Sequence, residues 1–193
     1  MSVLLEKFFE RYDKHIIEEF AIRTISKSYD SSYGLYLIPT DTDDFDGVSP
    51  DNRHALETTL VTSNNNMEAY KYEKQFAYGK RKPHTKRIKG AQLNVFGELT
   101  QWQGGPIAEI VEKIQKTIDE KESKAKKRLS IKKYETVDLC ICIDDGGWFD
   151  GKDFSLINLT LNDTIFENIF FITSSLFFRY TKANGFEQYK RII

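Results

Sequence analysis

Apolar residues recur along this chain with two periods, and the periods divide it into helices and strands. From Ser2 to about Ser26, Leu5, Phe8, Phe9, Tyr12, Ile16 and Phe20 return every three or four residues, the spacing of one face of an α-helix. Winding that helix at about 100° per residue puts Glu19 inside the apolar stripe and Glu18 well outside it. A second long helix is predicted from about Ile107 to Lys127, with Pro106 suited to its first turn and Ile107, Ile110, Val111, Ile114 and Ile118 as its buried face. The same winding carries Lys121 and Ala125 into that stripe. A lysine on a core-facing stripe calls for a partner.

Two-residue alternation marks the strands. Tyr33 to Ile38 predicts a first strand, with Leu35 and Leu37 on one face and Tyr36 and Ile38 on the other. In the next, Ala55, Glu57, Thr59 and Val61 share a face, while Leu56, Thr58 and Leu60 share the opposite one. Val137 to Ile143 is nearly continuous in apolar residues, which predicts a central strand covered on both sides. Leu93 to Leu99 predicts a short strand, and Phe154 to Leu161 and Ile169 to Tyr180 supply further apolar segments. Ser63-Asn64-Asn65-Asn66, with Glu68 behind it, opens a shorter helix ending near Gly79. Strands alternating with helices predict a mixed α/β fold, a central sheet flanked by helices. With 193 residues, 40% of them apolar, the chain is long enough for one sizeable core, so 1–193 is expected to be a single domain.

Charge narrows the choice of partners. The net charge is −1 and the isoelectric point about 6.3, so any surface for a polyanion must be local. The candidate is Lys80 to Lys89, where Lys80, Arg81, Lys82, Lys86, Arg87 and Lys89 make six of ten residues basic. Tyr70, Tyr72, Phe76 and Tyr78 nearby offer stacking surfaces, so nucleic-acid contact is one expectation here and a solvated loop the other. Asp41 to Gly47 is acidic, but Phe45 stands at a ligand place and Asn52 where a calcium loop carries a bidentate Glu. Cys140 and Cys142 share one face of the central strand and are expected as buried thiols, since His15, His54 and His84 show no zinc-ligand spacing. No segment carries the ~20 apolar residues of a membrane span and no secretory pattern is visible, so a cytoplasmic location is expected.

Glu57 is the position that most needs explaining. A carboxylate on a face otherwise fit for burial needs a cation, a donor or water, because leaving it dry and unpaired costs several kcal/mol or more. The stretch around it runs Ser49-Pro50-Asp51-Asn52-Arg53-His54-Ala55-Leu56-Glu57-Thr58-Thr59. A Pro-Asp followed by Glu-x-Thr on a strand resembles the PD-(D/E)XK restriction-endonuclease-like superfamily, in a branch with Glu-x-Thr in place of Glu-x-Lys and a lysine-bearing helix later. The resemblance spans roughly Asp51 to Ile143.

The resemblance implies a restriction-endonuclease-like core and metal-dependent hydrolysis of phosphodiester bonds in nucleic acid, DNA first. Asp51 and Glu57 would hold Mg²⁺ or Mn²⁺, Lys121 would replace the lysine missing at Thr59, and Glu19 would add an acid from the first helix. Five residues between Asp51 and Glu57 are few for a strand, a turn and a second strand, so Asp44 and Asp46 stay open as the true partner. Glu-x-Thr also suits a catalytically silent binding module of the same fold, and the near-neutral charge suits a small interaction or immunity-type protein. Restriction, defence and mobile-element roles all accord with the family, and a homodimer stays open.

Overall fold

Residue parity along one strand sorts the interior into two layers. The computed structural model describes residues 14–41, 43–62, 86–88, 91–93, 99–102, 107–144, 164–173 and 175–192, with backbone alone for 86–88, 91–93, 99–102 and 107. The elements are α1 (Lys14–Ser28), a 3-10 turn (Ser31–Leu35), β1 (Gly47–Val48), β2 (His54–Thr62), β3 (Lys86–Ile88), β4 (Ala91–Leu93) and β5 (Leu99–Trp102), followed by α2 (Ile107–Leu129), β6 (Thr136–Asp144), β7 (Ile169–Ile172), β8 (Phe177–Thr181) and β9 (Gly185–Tyr189). Strands β1, β2, β6, β7, β8 and β9 pair in that order as one mixed six-stranded open sheet, and β3, β4 and β5 form a separate antiparallel sheet. The helix near 63–79, the segment Phe154–Leu161 and residues 2–13 of the first helix lie outside the described residues.

Strand β6 is central, with β2 and β7 parallel on either side of it. Its Leu139, Ile141 and Ile143 pack with Ile110, Ile114, Ile118 and Ala125 of α2. Its Cys140 and Cys142 point the other way and pack with Ile17, Phe20, Ala21, Ile22 and Ile25 of α1. The fold is therefore α/β, with the sheet between helices, and both cysteines are buried free thiols. Among the described residues no helix is long and apolar enough to cross a membrane.

Two expectations change on contact with this framework, and a third is refined. Tyr33–Ile38 is not a strand. The Asp30 carboxylate accepts from the Ser32 N–H at 2.8 Å and caps a 3-10 turn, and only Leu37 reaches the sheet, exchanging two hydrogen bonds with Val48. Leu35 and Leu37 are consequently exposed. Glu19 also faces solvent, whereas Glu18 is buried, because the side of α1 that meets the sheet runs through Glu18, Ile22 and Ile25 at i, i+4 and i+7. Ile169–Tyr180 divides into the antiparallel strands β7 and β8 at a tight turn closed by Thr173 N–H donating to the Leu176 carbonyl. The expected strand Leu93–Leu99 has only its ends described, Leu93 closing β4 and Leu99 opening β5.

One buried polar network ties these pieces together. Asp138, on the α1 side of β6, accepts from the Tyr33 hydroxyl and from the Asn168 backbone and side-chain N–H groups at 2.9 and 2.8 Å. Asn168 in turn accepts from Arg179 Nε at 2.8 Å. Burial pushes the Asp138 carboxyl up, and the Tyr33 and Asn168 donors oppose it. We expect Tyr33→Phe, which leaves that carboxylate short of one donor, to lower unfolding free energy by about 2 kcal/mol in urea titration.

Candidate functional site at the open edge of β2

Strand β1 is two residues long and pairs only with Leu56 and Ala55 of β2. Beyond that point no strand among the described residues lies beside the edge of β2, yet Thr58 is buried. A buried peptide group without partners costs about 1–3 kcal/mol. Two charged side chains replace the missing strand. The Asp46 carboxylate accepts from the Thr58 N–H at 2.8 Å and its hydroxyl at 3.1 Å, while Lys121 Nζ donates to the Thr58 carbonyl at 2.9 Å.

Glu57 sits next to this edge on the α2-facing side of β2, with 2% of its side chain exposed. Lys121 Nζ donates to its Oε1 at 2.5 Å and Arg128 Nη1 donates to its Oε2. The two cations are seven residues apart, so two helical turns bring them to the same face of α2, one for each carboxylate oxygen. The Arg128 guanidinium also lies over the buried Phe45 ring, 5.4 Å from its centre.

The acidic loop is pinned over this pair. Lys132 Nζ meets Asp44 at 2.8 Å and Asp41 at 3.1 Å, and the Tyr134 hydroxyl donates to Asp44 at 3.0 Å. Burial works to raise the Asp44 carboxyl, but Lys132, the Phe45 amide and Tyr134 hold it below the usual range.

A second pair of carboxylates faces α1. Lys14 Nζ reaches Asp46 at 2.9 Å and Glu18 at 3.2 Å, and His15 Nδ1 lies 3.1 Å from Glu18. Both acids are almost fully covered, whereas the Lys14 side chain is 69% exposed. Burial, and then the negative charge of Asp46, push the Glu18 carboxyl up. Burial acts on Asp46 the same way, but the Thr58 amide, Lys14 and the charge of Lys121 together hold it below its ordinary value.

The structure thus brings Glu57, Lys121 and Asp46 to one edge and leaves Asp51 and Glu19 away from it. Asp51 is exposed in the turn between β1 and β2, where its Oδ1 accepts from Ser49 Oγ at 2.5 Å and the Arg53 N–H at 3.1 Å. Those contacts hold its carboxyl low. Of the three upstream acids, Asp46 is the one beside Glu57, since Asp44 is committed to Lys132. Thr59 is half-buried on the Glu57 face, opposite Ile141. Lys86 and Arg87 lie on β3, and Lys80, Arg81, Lys82 and Lys89 lie outside the described residues.

No family model, curated protein or solved structure matches the chain. The chemistry has to be argued from these side chains.

Among the described residues, no group of three or more His, Cys, Asp or Glu is arranged to hold a metal ion. Glu57 does not fit one as it stands, because each of its oxygens already receives a cationic donor. Asp46 and Glu18 also have a polar partner at each oxygen, but the cation they share, Lys14, is exposed and displaceable, so they fit better. Their oxygens converge on a single exposed ammonium, and Mg²⁺ commonly takes one or two carboxylates and fills its remaining positions with water and phosphate.

Two outcomes test the electrostatics. Lys121→Met should lower unfolding free energy by about 3 kcal/mol, because it breaks a buried pair and frees the Thr58 carbonyl, whereas Lys116→Met at the exposed Glu120 pair should change it by under about 0.5 kcal/mol. Asp46, held low in the fold, contributes stability that is present above about pH 4 and lost as pH falls through its folded value. The urea midpoint should therefore drop less steeply between about pH 4 and pH 2 in Asp46→Asn than in the wild type. Glu18, held high, contributes with the opposite sign.

Proposed function

We propose that the chain is a metal-dependent nuclease of the restriction-endonuclease-like type, hydrolysing phosphodiester bonds of nucleic acid, DNA first. The observation that supports it is the contact between Lys121 and Glu57. The resemblance calls for an ammonium, delivered by a later helix, at the strand that carries Glu-x-Thr. Lys121 is such an ammonium. Asp46 replaces Asp51 as the second acid in this reading, and Glu18 replaces Glu19.

Mg²⁺ or Mn²⁺, held by Asp46 and Glu18, would supply a bound water of lowered pKa and screen the phosphate. The chain's own groups do the rest. Lys121, a compact point charge fixed by Glu57 and the Thr58 carbonyl, faces the negative charge that grows on the phosphoryl oxygens. Glu57 acts as a positioning residue that holds Lys121 and Arg128 at their spacing.

One observation favours a second reading, a catalytically silent nucleic-acid-binding module. Glu57, the acid that the resemblance assigns to the metal, is doubly ion-paired. Labelled single- and double-stranded DNA and RNA, incubated with the purified protein and Mn²⁺, separate the two. We expect cleavage by the wild type that falls about 100-fold or more in Asp46→Asn and Lys121→Met. Salt-sensitive binding without cleavage, undisturbed by Asp46→Asn, identifies the silent module, and a folded wild type that neither cleaves nor binds ends both readings.

A further inference from the structure

Beside the block from Lys80 to Lys89, the chain carries a second basic stretch. Seven of the thirteen residues from 121 to 133 are Lys or Arg, against one acid, Glu122. Several of these cations are already engaged: Lys121 and Arg128 with Glu57, Lys126 with Glu122 at 2.6 Å, and Lys132 with Asp41 and Asp44. Lys124, Lys127 and Lys133 are exposed, and among the described residues none of them has a carboxylate within ion-pair distance.

Their placement has a direction. At about 100° per residue, Lys124 stands about 60° around α2 from Lys121 and about 40° from Arg128, and Lys127 follows about 60° further on. A cationic stripe therefore begins at the Glu57 pair and runs outward into solvent.

Helix stability does not explain the stripe. Like charges at i, i+3 and i, i+4, here Lys121 with Lys124 and Lys124 with Lys127 and Arg128, repel and weaken a helix, and the one acid a turn before Lys124, Glu120, is placed 3.9 Å from Lys116 instead. The helix dipole favours cations in the last turn, which accounts for Lys126, Lys127 and Arg128 but not for Lys124. An unmatched stripe leading to a cation pair is what a chain of phosphates needs: each phosphate takes one cation, and the strand is guided to the edge of β2.

We infer that this face of α2, carried by Lys124 and Lys127, is the surface that receives the phosphate backbone of a nucleic-acid strand and leads it to Lys121 and Arg128. The inference rests on the nuclease reading for what happens at the edge of β2, and adds where the substrate lies. An anionic membrane fits the same charges less well. A helix that binds a membrane surface needs a free apolar face, and the apolar face of α2 is spent on the sheet.

The test is fluorescence anisotropy with labelled single-stranded and duplex DNA of about 30 nucleotides, from about 50 to 250 mM NaCl, on wild type, Lys124→Ala/Lys127→Ala and the control Lys182→Ala, exposed at the turn between β8 and β9. For the duplex, the slope of log K against log salt should become shallower by about 1.8 in the double variant, about 0.9 per lost phosphate contact, and stay unchanged in the control. The double variant removes like-charge repulsion and also the favourable dipole interaction of Lys127, so its thermal midpoint should stay within about 3 °C of the wild type. Slopes equal to wild type overturn the inference, as does a wild type that binds no DNA, or a double variant that loses binding to phosphatidylserine vesicles while keeping its DNA slope. Its fate is separable from that of the nuclease reading. A wild type that never cleaves but whose slope depends on Lys124 and Lys127 sinks the hydrolase alone, and a cleaving wild type with an unaltered slope sinks the α2 surface alone.

Discussion

The buried carboxylate of Glu57 constrains this structure more than any other single group. A charge taken out of water must be met by opposite charge at close range, and both partners come from one helix. Once Lys121 and Arg128 are bound to the two oxygens, the height and rotation of α2 over β2 are fixed to within a side chain. The register of Ile110, Ile114 and Ile118 against β6 follows from that. The apolar contacts supply most of the driving force, as they do in any core, but they are non-directional and would tolerate neighbouring arrangements. The ion pairs would not.

The same logic extends to the edge of the sheet. Because β1 begins only at Gly47, opposite Leu56, Thr58 has a donor and an acceptor with no described strand beside them, and the chain supplies an acid and an ammonium in its place. Asp46 therefore serves Thr58, Lys14 and the field of Lys121 together, which is why its carboxyl stays ionised despite burial while its neighbour Glu18 is pushed toward protonation. Two adjacent acids with their affinities for protons moved apart form the kind of pair on which proton transfer and cation binding are built. Both helices deliver charge to this edge, α1 through Lys14 and Glu18 and α2 through Lys121 and Arg128.

Much of this framework could be read from residue patterns. The apolar run of β6, the stripe of α2 and the oddity of Lys121 on it were all visible, because strong periodicity over many residues survives the neglect of tertiary context. Glu57 announced itself as an acid on a buried face. The failures are equally specific. Tyr33–Ile38 alternates like a strand, yet the cap at Asp30 wins locally and turns it into a 3-10 turn. Glu18 falls outside a stripe drawn through Ile16 and Phe20 and inside one drawn through Ile22 and Ile25. Arg128 was legible as Lys121 plus seven, and β9 in the Asn184-Gly185 dipeptide, whose glycine takes φ of 70° at the hairpin turn. Asp46 could not be chosen over Asp44 and Asp51 from spacing, since the choice depends on where β1 begins and on Lys132, which is distant in sequence and close in space.

Lys121 also satisfies the Thr58 carbonyl, but stability alone gives no sufficient account of why Glu57 and Arg128 are charged as well. Replacing a buried ion-paired cluster by well-packed apolar side chains is commonly neutral, or stabilising by about 1–4 kcal/mol. Leucine and methionine at 57, 121 and 128 would extend the core that already surrounds them, with Phe45, Ala125 and Ala55 at hand. In the nuclease reading proposed above, the charges have a purpose, since hydrocarbon cannot attract a phosphate. Two partly exposed cations sharing one buried carboxylate carry a net positive charge at the surface, set in place by the protein rather than by solvent. Such a charge needs little reorganisation when an anion arrives, which is the condition under which electrostatics contributes most to recognition and to catalysis. The carboxylate at the centre is then the part of the device that aims the other two, and its burial is what keeps the aim fixed.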